Sequence, residues 1–247
     1  LLVFVFFIDP VIISAKITFC VMAKGVSFSV IFLCGGVGSR AQLSTPKQYH
    51  KLCGLKLFQH SLEPLLRLEP LELCVVCEKG YQELFQPIAP NCLFAQPGLR
   101  RQDSTEHGLK ALSKPVDYVL IHDSARPCVS DKALHRLLSH LGKQNAATLA
   151  CKATSTLRIS DALDYGIKVL PRESVWEIQT PQLVRKDLLE QGLKIAKERQ
   201  ILLTDDVAAI ELLGYPVKLV ENDRTNIKIT YPEDLLYAEF LLGKKNK

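Results

Sequence analysis

Three glycines, Gly35, Gly36 and Gly38, directly follow an apolar run in the stretch CGGVGSRAQLSTPKQY, and two cations, Arg40 and Lys47, come after them. Glycine has no Cβ, so such a loop lets backbone N–H groups approach a phosphate chain closely. Arg40 and Lys47 stand within reach of the same anion. Glycines alone would read as a turn with solvated charges, and the two cations shift the reading toward a polyphosphate. The Walker spacing Gly-x-x-x-x-Gly-Lys-Ser/Thr is absent. Gly36, Gly38 and Ala41 do satisfy the dinucleotide fingerprint G-x-G-x-x-G/A. Pro46 interrupts the segment that would continue as its helix, however, and the run to Tyr49 has no apolar stripe. A dinucleotide oxidoreductase is therefore the second reading.

The run DYVLIHDSARP places His122, Asp123 and Arg126 just past an apolar strand, at the edge where open α/β sheets bind ligands. Asp123 is suited to Mg²⁺, which commonly takes one or two carboxylates and completes its octahedron with water and substrate phosphate. The competing reading is a strand-terminal Asp that caps the next turn. His122, Asp123 and Ser124 resemble hydrolase triad members in type, but strand neighbours point to opposite faces and cannot form a relay. Cys74 and Cys77 have C-x-x-C spacing without a second pair or a nearby His, so they read as core thiols.

These residues need a platform. Short β-rich runs at 28–33, 71–77, 92–95, 118–122 and 147–151 alternate with helical periods at 103–112, 130–141, 186–197, 205–213 and 232–242. That alternation specifies an α/β fold, a mainly parallel sheet flanked by helices. Ser130 is the expected cap of an amphipathic helix carrying Leu134, Leu137, Leu138 and Leu141. Residues 154–182 break the pattern with two β-like pieces around DALDYG and are predicted to form a protruding arm outside the main sheet.

The chain has 247 residues, of which 47% are hydrophobic and 23% charged, with a net charge of +5. It can bury a core, and its charge is too mild and too evenly spread to indicate nucleic acid. Its eight irregularly placed cysteines fit a reducing, cytoplasmic setting. Residues 1–21 are very apolar, but Asp9 and Pro10 split the run, which argues against a membrane span. This stretch is expected to lie outside the functional domain, residues 22–247.

Taken in order, the blocks GGVGSR, TPKQY, GLRRQDS, HDSARP, PRESVW, TPQ, LTDD and NIKITYPEDL resemble the polyol-phosphate cytidylyltransferases, most closely those acting on 2-C-methyl-D-erythritol 4-phosphate. The resemblance spans about residues 30–242. It implies a Rossmann-like nucleotidyltransferase fold and transfer of CMP from CTP to the polyol phosphate, with Mg²⁺ as cofactor. It implies that Arg40 and Lys47 contact the triphosphate, that Gly98 and Ser104 read the cytosine, and that Asp123 sits at the metal and phosphates. Arg172 and Lys228 would hold the acceptor phosphate, with Thr156, Arg126 and Thr204 as secondary contacts. The arm would reach across a homodimer, so that Thr156 and Arg172 serve the partner's site. The chain departs from the usual pattern at Cys34-Gly35, Ala41 and Pro97-Gly98. Ribitol 5-phosphate is the alternative acceptor, and a catalytically silent nucleotide sensor is the alternative of a different class.

Overall fold

The computed structural model describes residues 25–36 and 45–245. The extension 1–21, Gly38 and Arg40 lie outside the described residues.

The scaffold is a seven-stranded sheet in the order β11-β7-β10-β6-β1-β4-β5. Its strands are β1 (Phe28–Leu33), β4 (Leu73–Val76), β5 (Leu93–Ala95), β6 (Tyr118–Asp123), β7 (Ala146–Lys152), β10 (Trp176–Arg185) and β11 (Lys218–Glu221). β2 (Lys51–Leu52) and β3 (Leu55–Lys56) form a small hairpin, and β8 (Leu157–Ser160) and β9 (Gly166–Leu170) form another. β1 runs parallel to both β4 and β6, β4 to β5, and β7 to β11, while β10 is antiparallel to β6 and β7.

Both faces of the sheet are covered, which is why its central strands read as nearly continuous apolar runs. On one face Val30, Phe32 and Leu120 pack with Phe58, Leu62 and Leu65 of α1 (Leu57–Leu66). Leu134, Leu137 and Leu138 of α3 (Asp131–Leu138) join the same cluster. On the other face Ile31, Val119 and Ile121 meet Leu109 of α2 (Arg101–Ala111) and Leu189, Leu193 and Ala196 of α4 (Lys186–Glu198). α5 (Ala208–Glu211) adds Ala209 and Ile210. α6 (Pro232–Lys245) places Ala238 and Leu242 against Leu52, Leu57 and Ile229.

Ser130 caps α3 as expected, its Oγ accepting from the Ala133 N–H at 3.2 Å. The helix stops at Leu138, short of Leu141, although Leu141 remains buried in the same cluster. The helix predicted over 205–213 shrinks to Ala208–Glu211; ahead of it the Asp206 and Val207 N–H groups go to the Gln182 side chain and the Ala208 N–H to the Asp205 carboxylate. The arm also needs a correction. Only β8 and β9 project as a separate hairpin; residues 176–182 belong to β10, which sits between β6 and β7 inside the main sheet. A break in its register between Ile178 and Gln182 spoils the alternation that would have marked it as a strand.

Cys74 and Cys77 face opposite sides of the sheet, one in each core cluster, and burial pushes both thiols up to about 12. They are core hydrophobes, as the sequence suggested.

α4 crosses α5 at Gly192, where an added Cβ would lie 2.2 Å from the Ala209 carbonyl oxygen. We expect Gly192→Ala to cost about 1–3 kcal/mol through overpacking. Gly80→Ala, which faces open space, should cost less than about 0.5 kcal/mol. Urea unfolding of the two variants checks this, and equal midpoints would contradict it.

Candidate active site

The sheet order reverses at β1: the chain runs outward through β4 and β5, then returns to lay β6 on the other side. Such a switch point opens a crevice at the strands' carboxyl ends, where ligands bind in open α/β sheets. Leu33 and Asp123, the last residues of β1 and β6, are register partners there. The glycine loop leaves from one strand and HDSARP from the other.

A cavity of about 350 Å³ fills this crevice. Gly35 and Gly36 line one side, Gly98 and Ser104 another, and Lys47, Asp123 and Lys228 also face it. Gln48, which is buried, holds the start of the glycine loop by donating from Nε2 to the carbonyls of Cys34 at 2.8 Å and Gly36 at 2.9 Å. Ser104 Oγ accepts from the Gly98 N–H at 3.0 Å. A Cβ on Gly98 would sit 2.3 Å from Asp103 Cβ, so only glycine lets the turn before α2 come this close.

A second cavity of about 230 Å³ adjoins the first and is lined by Arg126 and Thr204, among others. Arg101, Asp123 and Lys228 border both. Asp123 is nearly buried. Its Oδ1 accepts from Arg101 Nε at 3.1 Å and Nη2 at 3.0 Å, and its Oδ2 accepts from Lys228 Nζ at 2.6 Å. Arg101 Nη2 also pairs with the buried Asp206 at 2.7 Å. Burial alone would raise the Asp123 pKa, but the charges of Arg101 and Lys228 hold it well below the ordinary carboxylate range. Burial likewise opposes the Arg101 charge, yet Asp123 and Asp206 keep it above its ordinary value. Asp123 and Arg101 therefore both carry their charges across the neutral range.

His122 is set apart from the site chemistry. It is fully buried, and burial pulls its pKa down to about 3. Thr180 Oγ1 accepts from the Asp123 N–H at 3.1 Å and lies 2.9 Å from His122 Nδ1. The histidine packs and orients, and no triad forms.

The structure thus gathers Gly35, Gly36, Lys47, Gly98, Ser104, Asp123 and Lys228 around the first cavity, with Arg126 and Thr204 at the second. Lys47 Nζ donates to the Ile229 carbonyl at 2.5 Å, which brings it beside the Lys228 segment. Thr156 and Arg172 lie elsewhere, exposed along the arm and its return, with Arg172 3.6 Å from Glu173. Sequence reasoning missed Arg101 and Asp206. Both stood in quoted blocks, GLRRQDS and LTDD, but their pairing spans more than a hundred positions and no local spacing signals it.

Among the described residues no group of three or more His, Cys, Asp or Glu could hold a metal, and Asp123 is the one carboxylate bordering both cavities. A carboxylate has about four lone-pair sites, so Asp123 keeps acceptor capacity beyond its two cationic partners. That donor set fits Mg²⁺ arriving with a triphosphate, since this ion is ordinarily held by one or two carboxylates and substrate phosphate.

Comparison with known proteins bears on the same span. The family model for IspD, 2-C-methyl-D-erythritol 4-phosphate cytidylyltransferase, matches residues 28–244. The chain is 39% identical over 227 residues to the chloroplastic 2-C-methyl-D-erythritol 4-phosphate cytidylyltransferase of Oryza sativa subsp. japonica, covering 90% of this chain and 76% of that protein. It is 41% identical over 218 residues to the Chlamydia pneumoniae enzyme of the same name, covering 88% of this chain and all of that one, 100%. Among solved structures it is similar to the 4-diphosphocytidyl-2C-methyl-D-erythritol synthase of Anaerococcus prevotii, with TM-score 0.78, 28% identity and coverage of 89% and 99% of the two chains. The 2-C-methyl-D-erythritol 4-phosphate cytidylyltransferase of Thermus thermophilus gives TM-score 0.73, 32% identity and coverage of 87% and 98%.

One wall of the first cavity depends on a steric pair. A Cβ on Gly35 would lie 2.4 Å from Pro97 Cβ and 2.9 Å from its Cγ, and a proline ring cannot swing aside. We expect Gly35→Ala to weaken CTP binding about tenfold, as overpacking of 1–3 kcal/mol implies. Pro97→Gly alone should change little, and the double variant should recover the lost affinity. Titration calorimetry with CTP and Mg²⁺ reads this; additive losses in the double variant would contradict it.

Proposed function

The chain belongs to the 2-C-methyl-D-erythritol 4-phosphate cytidylyltransferase family, and on that premise we propose that it transfers CMP from CTP to 2-C-methyl-D-erythritol 4-phosphate and releases pyrophosphate. The product, 4-diphosphocytidyl-2-C-methyl-D-erythritol, serves non-mevalonate isoprenoid precursor synthesis. The observation that carries this reading is the pair of adjoining cavities with a common wall of Arg101, Asp123 and Lys228. One is bordered by the glycine loop and suits a nucleotide; the other is rich in polar groups and suits the acceptor.

The obstacle to the reaction is that one anion must attack another. Two unit charges about 4 Å apart repel by roughly 4 kcal/mol at an effective dielectric of 20. Fixed cations lower that cost. In our reading Arg40 and Lys47 bind the triphosphate and stabilise the charge that builds on the departing pyrophosphate. Gly35, Gly36 and Gly38 let backbone amides approach it, and Gly98 and Ser104 meet the cytosine. Lys228 and Arg126 border the acceptor cavity and orient the polyol phosphate, with Thr204 beside them. Asp123 would hold Mg²⁺, which when bound supplies charge neutralisation to the phosphates. The acceptor phosphate has a second pKa of about 6, so at neutral pH its oxygen is mostly ionised and no residue need remove a proton. Positioning and electrostatics then suffice.

The arm supports a homodimer as part of this reading. Its hairpin exposes Leu163 at 77%, Tyr165 at 70% and Ile167 at 66%, together with Ile159 and Val169, an apolar surface suited to burial against a second copy. Arg172 and Thr156, placed along the same arm, would then reach the partner's acceptor cavity.

Pyrophosphate release with CTP, Mg²⁺ and 2-C-methyl-D-erythritol 4-phosphate tests the assignment, with ribitol 5-phosphate and other nucleoside triphosphates as controls. We expect turnover to require CTP and the methylerythritol phosphate. Lys47→Ala and Arg40→Ala should each lower kcat by about a hundredfold or more while the protein stays folded. Preferred use of ribitol 5-phosphate would overturn the acceptor, and near-normal turnover in either variant would remove that residue from the mechanism.

A further inference from the structure

β10 breaks register between Ile178, opposite Ala150, and Gln182, opposite Thr148. Gln179 lies in that break, 5% exposed, and its side-chain amide is the hub of a buried polar network. Oε1 accepts from Asn222 Nδ2 at 2.9 Å and from Asn226 Nδ2 at 3.1 Å, while Nε2 donates to the Asp223 carbonyl at 3.2 Å. One amide thus fixes three points of the segment 222–226. Asn222 is steadied in turn by Arg136 Nη2 at 3.1 Å.

The segment leads straight into the site. Asn226 donates to the Thr180 carbonyl at 2.9 Å, and its own carbonyl accepts from Arg126 Nη1 at 2.8 Å. Two residues further, Lys228 reaches Asp123 Oδ2. The neighbouring Thr180 hydroxyl accepts the backbone N–H of Asp123 itself. Gln179 is therefore tied to both partners of the central ion pair: to Lys228 through Asn226, and to Asp123 through the adjoining Thr180. Its side-chain hydrogen bonds all go to Cys151 and the 222–226 segment, away from the glycine loop.

We propose that Gln179 is a positioning residue for the acceptor half of the site, its amide registering the 222–228 segment so that Lys228 and Arg126 face the polyol phosphate. A lysine side chain has a flexible four-carbon stem, and the geometry of its ammonium is only as good as the backbone beneath it. A buried amide that satisfies two asparagines at once supplies that backbone with a single arrangement. Losing it would take a buried acceptor from both asparagine amides, so the segment would relax and carry Lys228 with it.

This rests on the cytidylyltransferase reading, and wild-type turnover tests that reading separately. In Gln179→Ala we expect the KM for 2-C-methyl-D-erythritol 4-phosphate to rise about tenfold, which corresponds to about 1.4 kcal/mol. The Kd for CTP with Mg²⁺, measured by calorimetry without acceptor, should change much less, by no more than about threefold, because Gly35, Gly36, Gly98 and Ser104 take no hydrogen bond from the network although Lys228 borders both cavities. Asn226→Ala keeps Gln179 but cuts its tie on the Lys228 side, and should give the same split; it carries the test if Gln179→Ala does not fold. A merely structural role would lower thermal stability and the active fraction without separating the two substrates. If wild type turns over normally while either variant loses CTP and acceptor affinity equally, or leaves the acceptor KM unchanged, the inference is wrong. If wild type fails to release pyrophosphate, the functional reading fails instead.

Discussion

A buried carboxylate gripped from two sides is the constraint on which the site depends. Asp123 sits at the end of a central strand with Arg101 on one oxygen and Lys228 on the other, and Asp206 balances the remaining charge of Arg101. Taking any one of these ions out of water alone would cost several kcal/mol. They are tolerated because each is paired and hydrogen-bonded. The result is a preorganised strip of paired charges between two cavities. In our reading, phosphates entering from both sides meet dipoles and charges that need no rearrangement, which is where electrostatic catalysis gains most.

The rest of the fold brings distant segments to this strip. The switch point places β1 and β6 side by side, so the glycine loop and Asp123 emerge together. α2 supplies Arg101 from its first position, and the segment before α6 supplies Lys228. Close backbone approaches tighten the arrangement. Gly35 against Pro97 and Gly98 against Asp103 leave no room for a side chain, so at these two points the wall of the first cavity is fixed by close backbone approach.

Much of this was legible in the sequence, for physical reasons. The run 28–33 became Phe28–Leu33 because a strand buried on both faces must be apolar throughout and a glycine loop must end it. Gly35, Gly36, Lys47 and Asp123 stood out in the sequence as glycines, a cation and a carboxylate following apolar strands, and the structure brings them to one cavity. Other parts were not. Residues 176–182 of β10 were assigned to the arm because Pro181 and the register break hide the strand's periodicity. The helix Leu57–Leu66 was not anticipated, carrying Pro64 in its interior where proline normally argues against a helix. Lys218–Glu221, a short parallel edge strand, owes its pairing to β7 rather than to its own four residues. Arg101 escaped because its role is defined by Asp123 and Asp206, one 22 positions away and the other beyond a hundred.

The central claim is that Asp123 and Lys228 act as one unit joining the two substrates. A double-mutant cycle on kcat/KM for the acceptor, with Asp123→Asn, Lys228→Gln and the pair together, measures this most directly. The account predicts strong non-additivity, the double variant being little worse than the poorer single one, with a coupling of at least about 1 kcal/mol. Losses that simply add would show two independent residues and contradict the account.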